Sequence, residues 1–173
     1  MQTHFTDAQR TAPAVQRSES AIRKCVHCGF CTATCPTYVL LGDERDSPRG
    51  RIALIQNMLE AGGTPDAATV RHVDRCLSCL ACTTTCPAGV DYAQLIDHGR
   101  AYIAEHYERP WHDRLMRWML GGVLPHRDRF RTALALAPLG RLVQPLLART
   151  TAFKPLAAML ALAPRQLPKS EPA

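Results

Sequence analysis

One cysteine pattern occurs twice in this chain and uses every cysteine it has. Cys25-Val-His-Cys28-Gly-Phe-Cys31-Thr-Ala-Thr-Cys35-Pro36 returns as Cys76-Leu-Ser-Cys79-Leu-Ala-Cys82-Thr-Thr-Thr-Cys86-Pro87, with 40 residues between Cys35 and Cys76. Three cysteines at this spacing can curl around one face of a metal cluster, each thiolate taking one metal atom. The fourth has already passed the cluster, and the proline behind it turns the chain away and withholds a competing N–H. Eight cysteines would also suit four disulfides in a small secreted domain. Against that, Met1 to Ala21 carries charges throughout and no apolar run, so it does not read as a signal peptide. Structural zinc draws on C-x2-C pairs and would leave a third cysteine and a Cys-Pro unexplained in both copies. Iron–sulfur binding is the reading that leaves no cysteine over.

The spacing resembles that of two-cluster ferredoxins, in which the fourth cysteine of each motif ligates the other cluster. The resemblance implies two [4Fe–4S] clusters. Cys25, Cys28, Cys31 and Cys86 would hold the first, and Cys76, Cys79, Cys82 and Cys35 the second. The long connection between motifs is similar to that of the α-helical ferredoxin domain, not to the short link of the βαββαβ type. That domain is shared by iron–sulfur subunits of succinate dehydrogenase, anaerobic glycerol-3-phosphate dehydrogenase, heterodisulfide reductase and glycolate oxidase.

Helix signals surround the motifs. Ser47 as N-cap and Pro48 at the first helical position open a helix with Ile52, Ile55 and Leu59 on one face, stopping at Gly62. A second starts at Thr64 and Pro65, turns Val70 and Val73 inward, and delivers the chain to Cys76. After the second motif, Asp91 can cap a helix through about Tyr107, with Leu95, Ile96, Tyr102 and Ile103 facing a core. No segment alternates like a strand, so the expected fold is all-α. With aromatic residues at only 6%, its core is aliphatic and small enough to lean on bound metal.

Three regions follow. Residues 1–17 are polar and irregular and are expected to be flexible. Residues 18–108 form the two-cluster domain. Residues 109–173 form a basic, helical, proline-rich extension, in which prolines 125, 138, 145, 155, 164 and 168 are expected to break the helices into short pieces. Charge divides at the same place. Residues 1–108 hold 10 basic and 12 acidic side chains, net −2, and residues 109–173 hold 11 and 3, net +8. Two oxidised clusters at about −2 each would offset much of the formal +6. The basic charge lies in the extension with few aromatics beside it, which argues against nucleic acid as a partner. Pro155 to Pro164, the longest uncharged stretch near the C-terminus, is too short to span a membrane. The expected location is cytoplasmic, at most peripheral on the inner face of the cytoplasmic membrane.

CVHCGFCTATCPTYVLLGDERDSPRGRI (Cys25–Ile52) and DRCLSCLACTTTCPAGVDYAQLIDHGR (Asp74–Arg100) resemble the glycolate oxidase iron–sulfur subunit. The resemblance implies an electron-transfer subunit with no catalytic residues for the substrate. Partner flavoproteins carrying FAD would oxidise glycolate to glyoxylate, and this chain would relay electrons to a quinone or another acceptor. The family's cysteine-rich, CCG-containing second half has no counterpart here, since no cysteine follows Cys86. Two other readings stand beside it: a heterodisulfide-reductase-type or other respiratory iron–sulfur subunit, and a non-enzymatic cluster-binding module. His27 could tune the first cluster, and Arg49 and Arg51 could offset cluster charge or lie solvated on a first helical turn. His72, His98, His106 and His112 read as surface residues, and Trp111 with Trp118 as a helix packing face. The sequence carries no nucleophile constellation, phosphate loop or dinucleotide fingerprint.

Overall fold

The computed structural model describes residues 1–150 and 152–164. Among them there are helices and no strands, in two compact units, Met1–Glu108 and Arg109–Ala173. Among the described residues, no helix is long and apolar enough to cross a membrane.

The first unit contains α1 (Asp7–Arg10), α2 (Pro13–Lys24), α3 (Phe30–Ala33), α4 (Pro36–Leu41), a 3-10 turn (Glu44–Asp46), α5 (Pro48–Ala61), α6 (Ala67–Asp74), α7 (Ala81–Thr84) and α8 (Tyr92–His106). Its core is made where α8 packs across α2, α5 and α6. Ile22, Ile55, Val73, Leu95, Ile96 and Ile103 are fully buried there, an aliphatic set as the composition required. Two helix starts fall where their caps put them: Ser47 Oγ accepts from Gly50 N at the head of α5, and Asp91 caps α8. The start of α6 moves two residues on from Thr64-Pro65. Asp66 accepts from the backbones of both Ala68 and Thr69, a better cap than a threonine followed by proline.

The N-terminal segment packs against the rest of the first unit. Phe5 is only 4% exposed and belongs to the core. Around it the polar groups find specific partners: Thr3 donates to Glu19, His4 N to Glu60, and Gln56 to the carbonyl of Gln2. A strap held by one aromatic anchor and scattered hydrogen bonds has no hydrophobic period for a sequence reading to find. Two histidines differ from expectation. His98 is half-buried against Ser18 at 2.6 Å, and His72 is 2% exposed.

The second unit holds α9 (Trp111–Val123), α10 (Arg127–Leu147) and α11 (Lys154–Leu162). Pro138 and Pro145 do not break α10, which runs through both for 21 residues. Each proline forfeits one bond to the carbonyl four residues earlier, those of Leu134 and Arg141, a loss that a long helix absorbs. Pro155 starts α11, and Pro168 lies outside the described residues. The α10–α11 contact is made by small residues: Ala137 and Ala157 are the buried ones, and a Cβ on Gly140 would come 2.7 Å from Leu160. Trp111 and Trp118 were expected to pack but are exposed, Trp118 at 77%.

Two glycines of the first unit permit close approaches, and they differ in what they approach. A Cβ on Gly50 would lie 2.0 Å from the Glu44 carbonyl oxygen, which is backbone and cannot move aside. A Cβ on Gly99 would lie 3.0 Å from the end of the Ile55 side chain, which can. Gly50→Ala should therefore lower the unfolding free energy by at least about 2 kcal/mol. Gly99→Ala should be near neutral, because about 1 kcal/mol of helix propensity offsets the crowding. Denaturant unfolding of anaerobically prepared protein measures both, and equal losses would contradict this packing.

Candidate metal centre

The two cysteine motifs fold alike. His27 and Ser78, at matching positions, have φ of 55° and 51°, and Gly29 and Leu80 have 88° and 57°. Among the described residues, His27, Ser78 and Leu80 are the only non-glycine ones with positive φ, each at a cost of roughly 1–2 kcal/mol. This alternation turns successive backbone N–H groups toward one concave side, where an anionic group can sit. Short helices follow in both copies. Thr32 and Thr83 donate to the carbonyls of Gly29 and Leu80, and Thr34 and Thr85 to those of Cys31 and Cys82. The copies meet where Thr34 and Thr85 approach to 3.3 Å. They differ at the fifth position for a local reason: a Cβ on Gly29 would come 2.9 Å from the Arg49 guanidinium, whereas Leu80 has open space.

All eight cysteines are free thiols, and they gather in two neighbouring open cavities. The first is lined by Cys25, Cys28 and Cys31 from the first motif and by Cys82 and Cys86 from the second. The second is lined by Cys76, Cys79 and Cys82 from the second motif and by Cys35 from the first. Pro48, Cys82 and Tyr92 line both and form the shared wall. Cys28 and Cys79 are the exposed members of the two sets. Pro48 begins α5, so the positive end of that helix lies between the cavities, where it favours negative charge.

Electrostatics and spacing show what these cavities suit. Burial pushes the Cys82 thiol up to about 12, helped by the thiolates of Cys31, Cys76 and Cys35. Burial also raises Cys31, against the nearby amide of Arg49. For Cys35 burial works upward too, but Thr37, the Tyr38 amide and Arg51 outweigh it and the thiol falls below its ordinary value. So many thiolates at close quarters require a cationic core to hold them deprotonated. One ion does not fit. A tetrahedral zinc with bonds of about 2.3 Å brings its sulfurs to about 3.8 Å from one another. Among the described residues, the one group of three or more potential ligands whose atoms all lie within 4.8 Å is Asp43, Asp46 and His72, with no cysteine in it. Soft sulfur donors spread around two open cavities fit a multi-iron cluster instead.

Behind the second cavity lies a buried polar network. Arg51 is 1% exposed and Asp46 0%. Asp46 accepts from Arg51 at 3.3 Å, from Arg75 at 2.9 Å and pairs with His72 Nδ1 at 2.9 Å. Arg51 also donates to the His72 carbonyl, to Thr37 and, at 3.8 Å, to Cys35 Sγ. Two guanidiniums on one carboxylate leave no place for a cation, so the Asp43, Asp46 and His72 group is an ion-pair network. Arg51 is therefore no solvated first-turn residue, and His72 no surface one. Arg49 stays half-exposed beside the first cavity, paired with Glu44 at 2.5 Å and donating to the His27 carbonyl. No motif marks the network, since its members come from positions 37, 46, 51, 72 and 75. Asp46→Asn would strand two guanidiniums, one of them fully buried, and should cost about 3–5 kcal/mol. Denaturant unfolding checks this, and a loss under about 1 kcal/mol would mean the network is not closed in solution.

Comparison with known proteins agrees with this geometry. Residues 21–90 match the 4Fe-4S dicluster domain family. The glycolate oxidase iron–sulfur subunit of Escherichia coli (strain K12) is 48% identical over 147 residues, covering 85% of this chain and 35% of the relative. A Bacillus subtilis (strain 168) protein named "Probable glycolate oxidase iron-sulfur subunit" is 38% identical over 120 residues, covering 68% of this chain and 27% of the relative. The chain thus spans about a third of the length of the curated relatives it matches. No solved structure matches it. With eight thiols set around two adjoining cavities, the chain carries a 4Fe-4S dicluster domain and is similar, along most of its own length, to about a third of the length of the glycolate oxidase iron–sulfur subunits.

Proposed function

We propose that the chain is the electron-relay part of a flavin-dependent 2-hydroxy-acid dehydrogenase that oxidises glycolate to glyoxylate. The observation that carries the reading is the pair of cavities, each lined by three cysteines of one motif and by the fourth cysteine of the other, with Cys82 in the wall between them. Cys25, Cys28, Cys31 and Cys86 hold one [4Fe–4S] cluster, and Cys76, Cys79, Cys82 and Cys35 the other. Each cluster, when bound, takes up and releases one electron at a time, which suits it to receive singly the pair that a flavin removes from an alcohol carbon. The protein's own part is positional. The wall of Pro48, Cys82 and Tyr92 keeps the two sites adjacent, with Tyr92 buried in it. Arg49 and Arg51 supply one cation to each site, and the exposed Cys28 and Cys79 mark where electrons can enter and leave.

FAD belongs to partner flavoprotein subunits in this reading, and the final acceptor is a quinone or another carrier. The basic extension, with Trp111, Trp118 and Phe130 exposed, offers a face to those partners or to anionic lipid. The location is cytoplasmic or peripheral on the inner face of the membrane. The test mixes anaerobic, cluster-loaded chain with the flavoprotein subunits and glycolate in a stopped-flow spectrometer. The visible cluster absorbance should bleach only when flavoprotein and glycolate are both present. Bleaching at the same rate without glycolate, or none with both present, would overturn the proposal.

A further inference from the structure

The two cavities are alike in cysteines but unlike in what surrounds the sulfurs. In the second, Cys35 Sγ lies 3.8 Å from the donating Arg51 guanidinium and 3.2 Å from Thr37 Oγ1. On its far side the Tyr92 hydroxyl donates to Cys76 Sγ at 3.6 Å. In the first, among the described residues, no side chain donates to the sulfur of Cys25, Cys28, Cys31 or Cys86. Arg49 is spent on Glu44 and on the His27 carbonyl. Backbone amides do not distinguish the two, since that of Arg49 acts on Cys31 and that of Tyr38 on Cys35.

Fixed charge leans the same way. Around the second cavity, with Asp43 offset by its own partner Arg45, Arg51, Arg75 and Arg100, the last donating to the Cys76 carbonyl and to Ser78, face the carboxylate of Asp46. Around the first, Arg49 faces Glu44. That is three cations against one anion, compared with one against one. Arg51 and Asp46 are fully buried, while Arg49 and Glu44 are partly open to water, which screens them.

We infer that the site made by Cys35, Cys76, Cys79 and Cys82 has the higher reduction potential, and that Arg51 and Tyr92 set it. The inference rests on the two-cluster reading above. Reduction adds one negative charge to a cluster, and hydrogen bonds to its sulfurs and a buried cation stabilise that charge. With clusters held by these cysteines, electrons would pass singly from the site of Cys25, Cys28, Cys31 and Cys86 to that of Cys35, Cys76, Cys79 and Cys82, each transfer oxidising the first by one electron and reducing the second by one. Arg51 and Tyr92 are positioning residues, acting through Cys35 and Cys76.

The experiment is a potentiometric titration, followed by EPR, of the full chain loaded with iron and sulfide. The iron count and the number of one-electron steps are read first. A single step, or zinc in place of iron, sinks the two-cluster reading itself. With two steps present, Tyr92→Phe removes one hydroxyl without opening a cavity, and it should lower the upper step and leave the lower one. Arg51→Lys keeps a cation but loses the fork to Cys35, Thr37 and Asp46, and should move the same step the same way. Glu44→Gln frees Arg49 and should raise the lower step, narrowing the gap. Should Arg51→Lys fail to fold, Tyr92→Phe and Glu44→Gln still decide. A shift of the lower step by Tyr92→Phe, or of neither step, overturns the inference.

Discussion

The burial of Cys82 among neighbouring thiols is the constraint on which the rest of the first unit depends. Cys82 lines both cavities, and its thiol is pushed to about 12 by burial and by three neighbouring sulfurs. No arrangement of side chains removes that penalty on the charged form, so the fold supplies positive potential from fixed sources and leaves the remainder to bound metal. The sources converge on the start of α5. Ser47 caps it and Pro48 opens it between the cavities. Arg49 then reaches back toward the first and Arg51 inward to the second. Gly50 lets this turn press against the Glu44 carbonyl. One helical turn thus serves both sites, which explains why it sits in the core and not on the surface.

The repeated motif produces a near two-fold arrangement, with Thr34 meeting Thr85 where the copies touch. Departures from that symmetry mark where the two sites differ. After Cys35 the chain enters α4 and then the Glu44–Asp46 turn that carries the buried carboxylate. After Cys86 it passes a short turn and enters α8, which brings Tyr92 into the shared wall. Both insertions end beside the second cavity, as Asp46 behind Cys35 and Tyr92 on Cys76. The asymmetry in sulfur donors thus arises from what the chain does after each motif, and not from the motifs themselves.

What could be read from the sequence was whatever had a period or a fixed offset. The cysteine spacing, the caps at Ser47 and Asp91 and the inward Val70 and Val73 are local patterns, and each lies where expected. The Asp46 network has no such pattern. Its partners are joined by tertiary contact alone, so Arg51 reads equally as an offset to cluster charge or a solvated first-turn residue, and His72 as a surface residue. The N-terminal strap escaped for the same reason, being held by Phe5 and by polar side chains whose partners lie on α2 and α5. Pro138 and Pro145 misled in the other direction, because a rule that holds for short helices overstates the damage inside a 21-residue one.

The central claim is that each site is completed by the fourth cysteine of the other motif, so that neither motif can hold its cluster alone. Matched lesions test it without assigning any spectrum beforehand. Four single variants, Cys28→Ala, Cys79→Ala, Cys35→Ala and Cys86→Ala, are loaded with iron and sulfide and compared by Mössbauer and EPR spectroscopy. The account predicts that Cys86→Ala reproduces the lesion of Cys28→Ala, and Cys35→Ala that of Cys79→Ala. If Cys86→Ala instead matches Cys79→Ala, and Cys35→Ala matches Cys28→Ala, each motif keeps its own four ligands and the account is contradicted.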